Sequence, residues 1–205
     1  MAQLSNPLAP RLPAAVPVYD PRHEDQVRSM LRLYFNQLDA SFQQVLLGFN
    51  NYGTFYDTTT QTNAVANTAM SVTFNTTAEA FGVSLDPLDS SKLVVARAGV
   101  YNFQFSSQLD NVGGGNATFH IWFAINGTAI PHSASKVVIS GVNDEKVAAW
   151  NYLVTMQAGD SFQLMWSSNS TDAVILAEAA SSPIPAVPST IMTVTYVYPN
   201  AAART

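Results

Sequence analysis

Three histidines, a triple glycine and a few paired acids are the residues best suited to chemistry in this chain. His23, His120 and His132 lie far apart, with no second histidine or carboxylate at the spacing of a metal-ligand set. His120 alternates against Phe119, Ile121 and Phe123, His132 follows Pro131 in a turn, and His23 falls in the first turn of a helix. All three read as structural or solvated imidazoles. Gly113-Gly114-Gly115-Asn116 could cradle a phosphate through backbone N–H groups. No Lys-Ser or Lys-Thr follows it, and it leads into a strand pattern, so the parts of a P-loop are missing. Asp86 with Asp89, and Asp144 with Glu145, could help hold calcium, but neither pair sits in a recognised loop signature. No Gly-x-Ser-x-Gly turn and no serine–histidine–aspartate set can be assembled. Two carboxylates for glycoside cleavage would pair in space and not in sequence, and nothing selects two here. The expectation is a non-enzymatic protein with no metal and no cofactor.

Composition points the same way. The 205 residues suffice for one substantial domain and an appendage. Charged residues are 11% against 47% hydrophobic, where soluble chains average about 25% charged. Thr, Ser, Asn and Gln take the place of charge. Either much surface is buried between subunits or the molecule wears a neutral polar coat. A net charge of −5 without a basic run argues against nucleic-acid binding. Cysteine is absent, so disulfides are excluded. No stretch approaches the roughly 20 apolar residues of a membrane span, and the start lacks a signal-peptide layout, so synthesis in a cytoplasm without membrane insertion is expected. The Asn-X-Ser/Thr triplets at Asn75, Asn116, Asn126 and Asn169 would then carry no sugar.

The elements that would position any site fall into three regions. Residues 1–19 hold Pro7, Pro10, Pro13 and Pro17 among small apolar residues. That spacing favours an extended, stiff arm, either a disordered tail or an anchor along another protein. The anchoring candidates are these four prolines with Val18 and Tyr19. Residues 20–48 read as a helix with Asp20 as N-cap, Pro21 at the first position and Gly48 as the stop. Val27, Leu31, Tyr34, Leu38 and Val45 repeat at spacings of four and three, and Phe42 sits one position off that seam. Such a seam suits a helical bundle between copies, or one helix packed on its own β-domain.

Residues 49–205 show no helical period. Eleven candidate strands run from Thr54–Asp57 to Thr190–Tyr198, with clear alternation in Tyr101/Phe103/Phe105 and Phe119/Ile121/Phe123/Ile125. The centre of this region is Val147 to Ser168, expected as two strands joined in a hairpin by Gln157-Ala158-Gly159-Asp160. Many short strands with no helix between them mean a mainly β, antiparallel sandwich or barrel. Trp122 has opposite parity to Phe119, Ile121 and Phe123, so it faces outward, as a subunit contact or as a platform on which sugars stack. Trp122, Tyr196 and Tyr198 are the candidate trimer contacts.

The order VYNFQFSSQL, FHIWFAINGTAI, WNYLVTMQAGDSFQLMWS and STIMTVTYV resembles the jelly roll of the tumour-necrosis-factor/complement globular-head superfamily. The marks are Gly99-x-Tyr101-x-Phe103, the Asn126-Gly127 strand end and Ala158-Gly159-Asp160. Over nearly its full length the chain is similar to small virion proteins of tailed bacteriophages. These join a proline-rich arm and an LRLYFNQLD-like helix (Leu31 to Asp39) to a GTFYDTTTQT segment (Gly53 to Thr62) and then the jelly roll. The resemblance implies a homotrimer on the outer surface of a phage particle, bound through its N-terminal region to capsid, collar or tail proteins. It further implies a decoration, cement or head-fibre role, or a short tail fibre that recognises a host surface glycan or protein.

Overall fold

The computed structural model describes residues 9–14, 17–48 and 51–198, with the side chains of residues 44–48 excepted. Pro7 and the Val45 side chain therefore lie outside the described residues. The chain divides into two units, Met1–Asn50 and Asn51–Thr205.

In the first unit, helix α1 runs over Pro21–Gly48. Asp20 caps it: a carboxylate oxygen accepts the Arg22 N–H at 2.9 Å. The Asp20 carbonyl accepts the Glu24 N–H at 3.2 Å, which is the first rung of the helical ladder. Pro21 takes the position where a missing N–H costs nothing. Glu24 favours the positive helix end and pairs with Arg28 at 3.3 Å.

The second unit is a β-sandwich. Its strands are β1 (Tyr52–Asp57), β2 (Gln61–Thr62), β3 (Met70–Ser71), β4 (Thr76–Phe81), β5 (Val83–Leu85), β6 (Leu93–Val95), β7 (Gly99–Asn111), β8 (Asn116–Ile125), β9 (Thr128–Ala129), β10 (Ser135–Ser140), β11 (Lys146–Met156), β12 (Ser161–Ser168), β13 (Ala173–Ile175) and β14 (Thr190–Tyr198). The first sheet has the order β2-β13-β7-β14-β1-β4, with β11 on the other edge of β7. The second has the order β10-β8-β12-β6-β5, with β3 on β12 and β9 on β8. All pairings are antiparallel. The long strands pass between the sheets at β7–β8, β10–β11 and β11–β12, and β14 returns between β1 and β7. This is the path of a jelly roll.

The alternating residues form the core, as their parity requires. Tyr101, Phe103 and Phe105 of β7 face Phe119, Ile121 and Phe123 of β8, and all six are buried. Phe103 stacks on Phe162 of the opposite sheet, with ring centroids 3.6 Å apart and planes 9° apart. Phe105 meets Phe123 edge-on at 5.9 Å. These rings join the sheets through apolar burial and favourable aromatic geometry.

The structure corrects one expectation outright. β11 and β12 are not a hairpin. β11 pairs with β7 along its whole length, and β12 pairs with β8, β6 and β3 in the other sheet. Their connection crosses the sandwich. Gly159, at φ 88°, donates its N–H to the Val95 carbonyl at 2.8 Å, so the turn is tied to the end of β6. The aromatic load explains the choice. In a hairpin, Trp150, Tyr152, Phe162 and Trp166 would crowd one face of one sheet. In two sheets, both apolar faces close on each other.

β4 was not expected as a strand over Thr76–Phe81. Its residues are nearly all exposed because it lies at the edge of the first sheet, so no alternation marks it.

Candidate functional site

The residues that suggested chemistry are spread out and engaged locally. His120 is exposed on the outer face of the second sheet, and His132 is exposed in a turn at φ 62°. Among the described residues, no group of three or more histidines and acids is placed to hold a metal ion. Asp86 accepts the Leu88 N–H at 2.8 Å. Asp89 accepts the Ser91 hydroxyl at 2.6 Å and pairs with Lys92 at 3.0 Å. The Ser91 and Lys92 bonds hold the Asp89 carboxyl below its ordinary range. Asp144 accepts the Ser140 N–H at 3.2 Å. These acids close turns. The start of the glycine run has the wrong charge for a phosphate: a Cβ on Gly113 would lie 1.9 Å from an Asp172 carboxylate oxygen.

GTFYDTTTQT has an internal role in the β-unit. Asp57 is buried, and its carboxylate accepts the Thr59 N–H at 2.8 Å, the Thr59 hydroxyl at 2.5 Å, the Thr73 hydroxyl at 3.0 Å and the Asn75 amide at 3.1 Å. Gln61 adds bonds to the backbone of Thr73. The segment thus ties β1 to the chain between β3 and β4.

Three surfaces remain as candidates for binding. The first is α1. Val27, Leu31 and Tyr34 are half-buried, Leu38 is 41% exposed and Phe42 is 62% exposed. No described residue of the seam is buried. Of the anchoring candidates, Pro10 and Pro13 are half-buried and Pro17, Val18 and Tyr19 are exposed. A hydrogen bond with Glu24 raises the Tyr19 phenol above its ordinary value, so Tyr19 turns back to its own helix. Pro10 shares a shallow hollow with Met30, Leu33, Tyr34 and Gln37.

The second surface is the outer face of the first sheet. Register sets its rows: Phe81–Tyr52–Thr195–Asn102–Leu153, then Glu79–Thr54–Thr193–Gln104–Asn151, then Tyr56–Ile191–Ser106–Ala149. Phe81, Tyr52, Ile191 and Leu153 are exposed. Glu79 is the one charged side chain in these rows, and it accepts the Tyr52 hydroxyl at 3.2 Å. That bond raises the Tyr52 phenol. A broad face with one charged side chain and several exposed apolar and aromatic ones has the composition of a protein interface. Tyr198 joins this face opposite Val100. Reading each inward alternation for its outward complement would have found it.

The candidate contacts Trp122, Tyr196 and Tyr198 are not brought together. Trp122 is half-buried on the second sheet, beside Met165. Tyr196 points inward and meets Tyr101 edge-on at 5.2 Å. Its ring explains Gly99, where a Cβ would lie 2.3 Å from the ring. Tyr101 donates to the Arg97 carbonyl at 2.8 Å and accepts from Asn51 at 3.0 Å. Burial raises its phenol above the ordinary value, and the Asn51 bond works against that.

The third surface is the end of the β-unit opposite Asn51. There the Asn111 side chain donates to the carbonyls of Gly115 at 2.9 Å and Gly141 at 3.0 Å. Asn63 donates to those of Ser168 at 3.1 Å and Ser170 at 2.9 Å. The Val112 N–H bonds the Asp172 carbonyl at 3.0 Å. Four loops are thereby fastened to one another, and Val65, Val112 and Val142 are exposed on them.

No family profile and no curated protein matches the chain. Among solved structures it is similar to the globular domain of a zebrafish complement 1qA protein, at 13% identity and TM-score 0.43, covering 74% of this chain and 100% of that one. It is also similar to the Eiger tumour necrosis factor of S. frugiperda, at 8% identity and TM-score 0.45, covering 77% of this chain and 98% of that one. The jelly-roll path itself is set by this chain's own strand order.

Proposed function

We propose that this chain is a non-enzymatic structural protein of a tailed-phage virion. It acts as a homotrimeric capsid decoration, cement or head-fibre protein, held to the outer surface of the particle by its N-terminal arm and α1. The observation that carries this reading is the helix: none of the described residues of its apolar seam is buried. A side chain such as Phe42, 62% exposed, gains from burial against another protein. The charge-poor outer face of the first sheet supports self-association, and the arm–helix–GTFYDTTTQT order supports the phage assignment. Several arms on one assembly raise the effective concentration of each for the particle.

The test is immunogold electron microscopy of purified particles with antibody to residues 51–198, beside particles whose protein lacks residues 1–19. Label over the head that disappears with the deletion, while the deleted protein stays folded and trimeric, is the expected result. Particles without any label would overturn the virion reading. Retained label after the deletion would refute anchoring by the arm.

The fastened loops around Asn63 and Asn111 favour a second reading, a short tail fibre or receptor-binding tip for a host surface glycan or protein. Under it, label is confined to the tail, and the purified full chain blocks infection.

A further inference from the structure

The helix seam and the arm, taken together, say what should cover Phe35 and Phe42. The spacings Val27–Leu31–Tyr34–Leu38 place residues 27 and 34 at d and residues 31 and 38 at a of a heptad. In that register Arg28, Phe35 and Phe42 occupy the e flank, and Met30 and Gln37 occupy the g flank. Phe42, which breaks the simple seam, is thus in line with Phe35 two turns earlier. Phe35 is 57% exposed and Phe42 62% exposed. The arm lies on the other flank: Pro10 shares its hollow with Met30, Leu33, Tyr34 and Gln37. At 3.6 residues per turn, the phenylalanines lie about 130–150° around the helix from that hollow. A copy's own arm, seated there, does not cover them.

In a trimer whose helices bundle about the threefold axis the helices are parallel, and in parallel helices the g flank of one copy faces the e flank of the next. The arm seated on a g flank is then the first surface that the neighbour's Phe35 and Phe42 meet. We infer that each proline arm is clamped between the Met30/Leu33/Tyr34/Gln37 groove of its own helix and the Phe35/Phe42 stripe of the adjacent copy. This deepens the self-association reading above and rests on it. The chemistry matches. Extended proline segments lose little entropy on docking and pack well on aromatic rings. Pro10, Leu12 and Pro13 are as uncharged as the stripe. Arg11 on the arm and Asp39 beside the phenylalanines have opposite charge. The anchor offered to a particle is then a composite of helices and arms.

The chain has no cysteine, so disulfide trapping is free of background. Arg32 and Ala9 are both exposed, and Arg32 lies about 150° around the helix from the arm's seat. A disulfide needs Cα atoms within about 7 Å, and a helix is about 10 Å across. A bond between these positions must therefore join two copies. The full-length double variant Ala9→Cys/Arg32→Cys is oxidised and run on a non-reducing gel, with its assembly size measured in parallel by sedimentation. Covalent multimers up to the assembly size are expected, absent from both single variants. Adding Phe35→Ala and Phe42→Ala should cut their yield about tenfold. An intact assembly with no such bond overturns the clamp and leaves self-association standing. Chains that sediment as monomers overturn both.

Discussion

The two units of this protein use their aromatic residues in opposite ways. In the β-unit, Tyr101, Phe103, Phe105, Phe119, Phe123, Phe162 and Trp166 are all sealed between two sheets. On α1, Tyr34 is only half covered, and Phe35 and Phe42 stand mostly in solvent. The β-unit has a completed core of its own. Among the described residues of the helix seam none is buried, and isolated helices draw little stability from propensity alone. A truncation should therefore cost folding energy in one unit and assembly in the other.

The sharpest test is Phe162→Ala. It removes the ring stacked on Phe103 at 3.6 Å between the sheets. Urea unfolding followed by tryptophan fluorescence should show a loss of about 3–5 kcal/mol. A loss below about 1 kcal/mol would mean that the two sheets do not depend on this contact. Asp57→Ala comes next. It strands the Thr59 N–H and the Thr73 and Asn75 donors around a buried site. The same measurement should give a loss of about 2–3 kcal/mol. Leu38→Ala in α1 should move the β-unit's unfolding by no more than about 0.5 kcal/mol, yet weaken association in sedimentation. If it destabilised the β-unit as Phe162→Ala does, the contrast between the two units would be lost.

The legibility of the fold followed burial. The start of helix α1 was readable to the residue, because Asp20 and Pro21 act through local backbone chemistry, while the residues that would show Gly48 as a stop lie outside the described ones. Strands β7 and β8 were readable because each has one wet face and one dry face, which writes alternation into Tyr101/Phe103/Phe105 and Phe119/Ile121/Phe123. Strand β4, wet on nearly every residue, left no such trace. The partner of a strand was harder to read than the strand. β11 and β12 look like a hairpin because alternation records which face is dry, but not which sheet lies opposite it. Candidate binding surfaces were least legible. Trp122 stood out by its type, while Tyr52, Phe81, Leu153 and Ile191 became one surface only once register aligned them. Tyr196 looked like a contact by type, and the bulge between Tyr196 and Tyr198 turns only the latter outward.

The place of β14 has a consequence for how the protein is made. It lies between β1 and β7, with Tyr52 opposite Thr195 and Phe103 opposite Val194. During synthesis, β1 and β7 leave the ribosome long before the strand that separates them. Until then the first sheet has a slot at its centre with two raw edges, the kind that pairs with strangers. Chains cut short before residue 190 would keep that slot open and be prone to aggregate or be degraded, so only finished chains would enter an assembly. Helix α1 precedes every strand of the β-unit, so it leaves the ribosome before the first sheet can begin to close.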